Sequence, residues 1–253
     1  TDAGAAYILF LNSDGTVKVE QKISATEGGL SAAFNENDLF GVSIANIGDI
    51  DGDGITDIAV GASNDSGGST RDAVYVLQLN VDGTVKAEQK LNNSTEALGT
   101  ALDDGDSFGY SVAGVGDLNK DGVSDIAVGS YNDDDGGDNR GAVHVLLLNP
   151  DGTIQSAQKI SSTTGGLDVY LADGDQFGRS VTSLGDLNGD GAIDLAVGAS
   201  FDDDAGAGRG ALYVLGLGGN SAPTLSAFTG VVGSTIEDTE VEISFTDLAT
   251  QGD

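Results

Sequence analysis

Phe108-Gly109-Tyr110-Ser111 opens the stretch that decides the fold, because the same pattern stands at Phe40-Gly41-Val42-Ser43 and at Phe177-Gly178-Arg179-Ser180, at spacings of 68 and 69 residues. Other features keep the same phase. Asn12-Ser13-Asp14-Gly15-Thr16 returns in kind at 80–84 and 149–153, Gln21-Lys22 returns as Gln89-Lys90 and Gln158-Lys159, and Arg71, Arg140 and Arg209 fall in register. Several independent features in one phase define an internal repeat. Within one unit, residues from Phe108 to Val115 alternate in polarity, Asp125 to Gly129 and Ala142 to Leu148 are short runs rich in β-branched and apolar residues, and an Asn-Pro-Asp-Gly-Thr turn leads into Thr153 to Ile160. The turn carries glycine where positive φ is needed. Four short strands repeated at a fixed period predict the blades of a β-propeller, since 68 residues are too many for one solenoid coil.

The units are unevenly represented. Tyr7 to Ile23 supplies only the third and fourth strands of a blade, Phe40 to Leu91 and Phe108 to Ile160 are complete, and Phe177 to Leu217 supplies three strands. The expected architecture is all-β, about three and a half blades of four antiparallel strands and thirteen strands in all. Ala222-Pro223 then opens a segment out of register with the repeat, so residues 1–219 are assigned to the propeller and 220–253 to a linker and the beginning of a β-sandwich-like domain. The first residue is not Met, and Ile243, Phe245 and Leu248 look like a strand just begun, which predicts a piece of a longer chain.

Composition narrows the function. The 253 residues include 41 acidic and 10 basic side chains, a formal charge of −31, which opposes nucleic acid as a partner. No apolar run approaches the length that crosses a bilayer, so no membrane insertion is expected. With 39% hydrophobic residues a core can be built, and 40 Gly against 2 Pro favour tight turns. The absence of Cys removes disulfides, thiolate metal sites and Cys nucleophiles together.

Between the first two strands of each unit lies the most informative chemistry. Asp49-Ile50-Asp51-Gly52-Asp53-Gly54-Ile55-Thr56-Asp57 is matched by Asp117, Asn119, Asp121, Gly122 and Asp125, and by Asp186, Asn188, Asp190, Gly191 and Asp194. Oxygen side chains at positions 1, 3 and 5 turn toward one point, Gly at 6 permits the sharp turn, and position 7 offers a backbone carbonyl. That is the logic of a calcium loop, closed here by an acid at position 9 and followed by a strand. Solvated Asp/Asn-Gly turns are the plain alternative. Against it, converging carboxylates repel one another without a cation, and the cluster occurs three times in phase. Magnesium prefers to keep several waters, and the all-oxygen set with no His or Cys disfavours zinc and copper.

Phe-Gly, then Gly-Asp-Leu-Asn-x-Asp-Gly-x-x-Asp, then Ala-Val-Gly-Ala or its near variant resembles the FG-GAP repeat of the integrin α-subunit β-propeller and of bacterial extracellular proteins that share it. The resemblance covers about residues 5–217. It implies three Ca2+ sites: Asp49, Asp51, Asp53, the Ile55 carbonyl and Asp57; Asp117, Asn119, Asp121, the Val123 carbonyl and Asp125; and Asp186, Asn188, Asp190, the Ala192 carbonyl and Asp194. It also implies a seven-bladed ring, about twice what the chain holds, with the open edge strands completed by another copy or by the rest of the parent chain. Lys120 departs from Gly52 and Gly189 and sets a positive charge beside the second site. Residues 221–253 resemble the opening of cadherin-like or immunoglobulin-like repeats of long bacterial adhesins. The expected role is a non-catalytic adhesion or ligand-binding module of an extracellular or cell-surface protein, with a protein or glycan partner. An accessory to a hydrolase or lyase and a structural spacer are the alternatives.

Three further groups are read structurally. His144, the only histidine, shares its register position with Tyr7, Tyr75 and Tyr213 and is assigned to strand packing. Asp38, Asp106 and Asp175 recur in every unit and are assigned to a cap or a blade-to-blade hydrogen bond instead of paired-acid catalysis. The three arginines in register are assigned to nearby carboxylates, and the acidic runs 133–135 and 202–204, with Asp65, to a solvated rim. Three Ca2+ ions would still leave a charge of −25, so calcium alone does not account for the acidity.

Overall fold

The computed structural model describes residues 3–32, 38–63, 72–98, 102–103, 105–204, 208–218 and 226–227. Arg71, Asp65 and the segment 220–253 apart from 226–227 lie outside these residues. Every regular element among them is a strand. β1 (Ala6–Leu11) and β2 (Val17–Ile23) form a two-stranded antiparallel sheet. β3 (Phe40–Gly48), β4 (Asp57–Ala62), β5 (Ala73–Leu79) and β6 (Val85–Leu91) form the first complete blade, in chain order. β7 (Phe108–Gly116), β8 (Asp125–Ser130), β9 (Ala142–Leu148) and β10 (Ile154–Ile160) form the second. β11 (Phe177–Gly185), β12 (Asp194–Ala199) and β13 (Ala211–Gly216) form the third and gain a fourth strand of two residues, β14 (Ser226–Ala227), paired to β13. The all-β, bladed architecture read from the sequence is therefore present. The strand count is corrected from thirteen to fourteen: Leu215 pairs with Ala227 and Gly216 with Ser226, drawing on the segment assigned above to the next domain. A two-residue strand without alternation leaves no periodic trace in sequence.

Burial follows position in the blade. β4 and β8 are buried along their whole length, because both faces of the sheet meet neighbouring blades, and they read as unbroken apolar runs. β6 and β10 are outermost and interleave Lys, Glu and Gln with apolar residues. The hairpins between third and fourth strands share one device: Asp14, Asp82 and Asp151 Oδ1 each accept hydrogen bonds from the Thr amide at 3.0 Å and from its hydroxyl at 2.5–2.6 Å.

Blades join through the Phe-Gly segments. Phe108 and Phe177 are fully buried and Phe40 nearly so. Each meets the ring two strands away in its own blade edge-on: Phe40 with Tyr75 at 5.7 Å, Phe108 with His144 at 5.4 Å, and Phe177 with Tyr213 at 5.3 Å between centroids. His144 is a packing residue, as read. The glycine that follows has φ of +93°, +86° and +87° at Gly41, Gly109 and Gly178. Its carbonyl meets the preceding blade: Ser43 Oγ donates to the Gly109 oxygen and Ser111 Oγ to the Gly178 oxygen, both at 2.8 Å. There is no space for a side chain at this seam. A Cβ on Gly61 would lie 1.9 Å from the Gly109 oxygen, and one on Gly129 1.9 Å from the Gly178 oxygen. Gly198, at the same register in the third blade, would meet only Ser180 so closely, at 2.8 Å from its Oγ. Gly129→Ala is therefore expected to destabilise the chain by at least ~2 kcal/mol, as over-packing against backbone does, and Gly198→Ala by clearly less. Thermal melting of the two variants side by side checks this.

Candidate metal centre

The three aspartate loops join β3 to β4, β7 to β8 and β11 to β12, and a common hydrogen-bond scheme shapes them. At position 1 the carboxylate folds the loop around itself. Asp49 Oδ1 accepts the Gly52 and Asp53 amides at 2.8 and 3.1 Å, and its Oδ2 accepts the Gly54 amide at 2.8 Å. Asp117 accepts the Asp121 and Gly122 amides at 3.0 and 2.8 Å. Asp186 accepts those of Gly189, Asp190 and Gly191 at 2.7, 3.1 and 2.9 Å. Position 3 (Asp51, Asn119, Asn188) accepts the amide of position 5, and position 5 (Asp53, Asp121, Asp190) accepts the amide of position 7.

Position 9 performs a second task. Asp57, Asp125 and Asp194 are buried, and each ties its loop to the end of the third strand of the same blade. Asp57 accepts the Ile50 and Leu79 amides at 3.0 and 2.9 Å, Asp125 those of Leu118 and Leu148 at 2.8 and 2.9 Å, and Asp194 those of Leu187 and Leu217 at 2.8 and 3.1 Å. Burial raises the Asp57 carboxyl above its ordinary value and lifts Asp125 to about 6, against the pull of these amides. A carboxylate oxygen has more than one lone pair. These side chains can brace the fold and still face a cation.

In the first loop, oxygens of Asp49, Asp51 and Asp57 all lie within 4.8 Å of one another. Among the described residues no other trio of His, Cys, Asp or Glu draws together to that distance, and the second and third loops carry Asn at position 3. Asp53 is held beside the trio by Lys86 on β6, whose Nζ lies 2.7 Å from Asp51 Oδ2 and 2.5 Å from Asp53 Oδ2. That hydrogen bond lowers the Asp53 carboxyl, and Asp51 and Asp53 together raise the Lys86 ammonium. In the second blade the equivalent residue is neutral: Gln155 Nε2 donates to Asp121 Oδ2 at 3.1 Å, while Asn119 Nδ2 donates to Gln155 Oε1 and to Asp121 Oδ2, both at 2.8 Å. Sequence reasoning missed Lys86 because it stands 33 residues beyond Asp53, and only strand pairing brings it back over the loop.

Lys120 receives a further reading. Its φ is +61°, where Gly52 and Gly189 both have +78°, so position 4 of the loop requires left-handed backbone. The residue is strained there whatever its charge. Lys120→Gly is expected to gain ~0.5–1 kcal/mol after the entropic cost of glycine. The check is a melting temperature raised by about 1–4 °C, measured in chelator so that metal binding does not enter.

The other groups fall out as follows. Asp106 Oδ2 accepts the Asp103 amide at 2.8 Å and Asp175 Oδ2 the Ala172 amide at 2.6 Å, so these aspartates cap the turn before each Phe-Gly segment. Arg140 pairs with Asp173 at 2.7 Å and covers the Tyr170 ring. The solvated rim is corrected in part. Asp133 and Asp202 are buried: Lys159 Nζ lies 2.5 Å from Asp133 Oδ2 and 2.9 Å from Asp135, and Tyr213 donates its hydroxyl to Asp202 at 2.7 Å.

The FG-GAP repeat family model matches residues 40–77, 108–146 and 177–215, the first three strands of each blade with their aspartate loops. The chain is built on three FG-GAP repeats. Integrin alpha-PS2 of Drosophila melanogaster is 33% identical to this FG-GAP chain over 189 residues, 73% of the chain and 12% of that protein. Integrin alpha-4 of Xenopus laevis is 29% identical over 167 residues, 66% of the chain and 15% of that protein. Integrin alpha-11 of Homo sapiens is 36% identical over 169 residues, 63% and 12%. The chain thus spans about an eighth of the length of these relatives. The FG-GAP blades are integrin-like in sequence.

Proposed function

We propose that the chain is a calcium-stabilised, integrin-like FG-GAP propeller module of an extracellular or cell-surface protein, acting in adhesion or ligand binding. The observation that carries the metal is the convergence of Asp49, Asp51 and Asp57 oxygens in a loop whose backbone is already folded around the position-1 carboxylate. The donor set fits a hard cation: Asp49, Asp51, Asp53, Asp57 and the Ile55 carbonyl in the first loop, Asp117, Asn119, Asp121, Asp125 and the Val123 carbonyl in the second, and Asp186, Asn188, Asp190, Asp194 and the Ala192 carbonyl in the third. A bound divalent ion supplies the charge that clustered carboxylates lack, and so stiffens the link between the first two strands of each blade. In the first loop it competes with Lys86 for the outward oxygens of Asp51 and Asp53.

The partner is a protein or glycan, with no nucleic acid, given the charge of −31. No helix among the described residues is long and apolar enough to cross a membrane. The module is non-catalytic: His144 is spent on packing against Phe108, and Asp106 and Asp175, the acids before the second and third Phe-Gly, are spent on turn caps. Residues 1–219, together with β14 (Ser226–Ala227), act as the propeller part, and the rest of 220–253 leads into a cadherin-like or immunoglobulin-like domain of a bacterial surface protein. The open edges are completed by another copy or by the rest of the parent chain.

Chelation is expected to lower the melting temperature by several degrees, since a ligand bound only to the folded state stabilises it by mass action. Calorimetric titration with Ca2+ should show sites in the micromolar to millimolar range, and Asp53→Ala, Asp121→Ala and Asp190→Ala should each remove about one. A flat titration would sink the reading. Lys86→Gln, which gives the first loop the neutral neighbour of the second, is expected to tighten the first site several-fold and leave the others unchanged. An unchanged first site would show that Lys86 does not compete.

A further inference from the structure

Positions 3 and 4 of the aspartate loops carry a different chemistry in each unit. They read Asp51-Gly52 in the first loop, Asn119-Lys120 in the second and Asn188-Gly189 in the third, and the last is the only Asn-Gly step in the 253 residues. An asparagine side-chain amide is an electrophile within reach of the next residue's backbone nitrogen, and glycine in that next place brings no side chain to hinder the approach. In the second loop the Lys120 side chain stands in the way, and Asn119 Nδ2 is committed to Asp121 Oδ2 and Gln155 Oε1, both at 2.8 Å. In the first loop the electrophile would be the Asp51 carboxylate, whose charge repels a nucleophile and whose Oδ2 is paired with Lys86 at 2.7 Å.

The third loop also holds the groups that attack on the asparagine needs. The Gly189 amide, which is the nucleophile, donates to Asp186 Oδ1 at 2.7 Å, so a carboxylate stands on the proton that has to leave. The Asp190 amide donates to Asn188 Oδ1 at 2.9 Å, and this is the oxygen on which negative charge builds when the side-chain carbon is attacked. Gly189 has φ of +78°, and a Cβ on it would meet nothing within 4 Å, so the approach is uncrowded. Asn188 and Gly189 are both exposed to water. Gly52 is exposed and equally uncrowded in the first blade, which has all four strands, so this openness belongs to the loop and not to the extent of the third blade.

The geometry points to Asn188 as a self-modifying site: the Gly189 nitrogen closes on the Asn188 side-chain carbon, and the residue becomes aspartate or its β-linked isomer. In the first step the bond from Gly189 N to Asn188 Cγ forms and the Cγ–Nδ2 bond breaks. The Gly189 proton passes by way of Asp186 to the departing nitrogen, which leaves as ammonia, and a cyclic imide remains. Water then opens the imide. Addition at Cγ returns the proton to the Gly189 nitrogen and leaves an aspartate side chain at position 188, whereas addition at the backbone carbonyl leaves the chain running through Cγ. The sum is asparagine plus water giving aspartate or isoaspartate plus ammonia, with no oxidant or reductant. The two products act oppositely on the cation site, a consequence that rests on the calcium reading above. Aspartate gives the third loop the Asp-x-Asp-x-Asp set of the first, and a further carboxylate tightens an all-oxygen site. The isomer inserts one more atom into the backbone between positions 3 and 4 and throws positions 1, 3 and 5 out of phase. A bound cation draws on the Asp186 and Asn188 oxygens and so holds off the cyclisation. The third loop is thus the site whose cation affinity changes with the age of the molecule, and it changes while no ion is bound.

The test ages the whole folded chain for weeks at neutral pH and body temperature in chelator, then reads its peptides by mass. The peptide holding residue 188 is expected to gain the mass difference of OH over NH2 and to separate by chromatography into an aspartate and an isoaspartate form, while the peptide holding residue 119 stays unchanged. That comparison lies within one chain and needs no variant. Gly189→Lys, which gives the third loop the step that the second already accommodates, should slow the conversion severalfold, and Asp186→Asn, which keeps an acceptor but removes the base, should slow it as well. Melting curves of both variants control for folding. An unchanged residue 188, equal conversion at residue 119, or a rate that neither substitution lowers overturns the proposal. In saturating Ca2+ residue 188 should be protected, and in calorimetric titration Asn188→Asp should tighten one site severalfold. A chain that binds Ca2+ yet keeps residue 188 unchanged in chelator overturns this inference alone. A flat titration of the fresh chain overturns the calcium reading alone, because the gain in mass does not depend on the metal.

Discussion

Everything in this molecule depends on how closely one blade's backbone approaches the next at the Phe-Gly step. The carbonyl of Gly109 or Gly178 sits where a Cβ on Gly61 or Gly129 would be, and a serine hydroxyl closes on the same oxygen at 2.8 Å. The left-handed glycine turns that carbonyl sideways, out of its own sheet and into the neighbour. It also sends the preceding phenylalanine into the seam, where it is buried against a ring of its own blade. One dipeptide thus sets both spacing and packing between blades. The residue before it pays in backbone strain, with φ of +54°, +60° and +58° at Leu39, Ser107 and Gln176.

The aspartate loops depend on that arrangement from the other side. Each begins where the first strand ends, and its position-9 carboxylate reaches the amide at the end of the third strand, so the loop spans three strands of one sheet. The position-1 carboxylate accepts two or three loop amides and so folds the loop around itself. Burial of Asp57 and Asp125 disfavours charge, while the amides favour it. Brace and prospective ligand are the same side chain, which explains why an acid stands at that position in all three units.

Much of this was legible in the sequence because repetition exposes what one unit hides. Phase alone located every strand of the two full blades, assigned His144 to packing, and marked the loop residues by number. What stayed hidden was contact between residues distant in sequence. Lys86 over Asp51 and Asp53 depends on the register of β6 against β5, and Lys159 on Asp133 depends on the pairing of β10 with β9. The acidic runs read as solvent-facing because charge is usually exposed, yet Asp133 and Asp202 are buried and each has a specific partner. β14 was missed because two residues carry no period.

The same comparison of units separates scaffold from individuality. Residues that recur in phase, Phe-Gly, the loop aspartates and the Asp-Thr hairpins, are those whose geometry the blade cannot relinquish, so they say what holds the structure and little about what it recognises. The position after each Phe-Gly changes from Val42 to Tyr110 to Arg179, and there the chemistry becomes particular: the Arg179 guanidinium lies 5.0 Å from the centre of the Tyr131 ring, 5.3 Å from Phe201 and 5.8 Å from Tyr110. Tyr110 in turn meets Tyr131 edge-on at 4.7 Å. Among the described residues the cation is held by three aromatic rings and no carboxylate ion pair, in a chain with four times as many acids as bases. A seam whose backbone is fixed by glycine can vary this neighbouring side chain freely, because the fit between blades is secured by main-chain atoms and phenylalanine before that residue is reached.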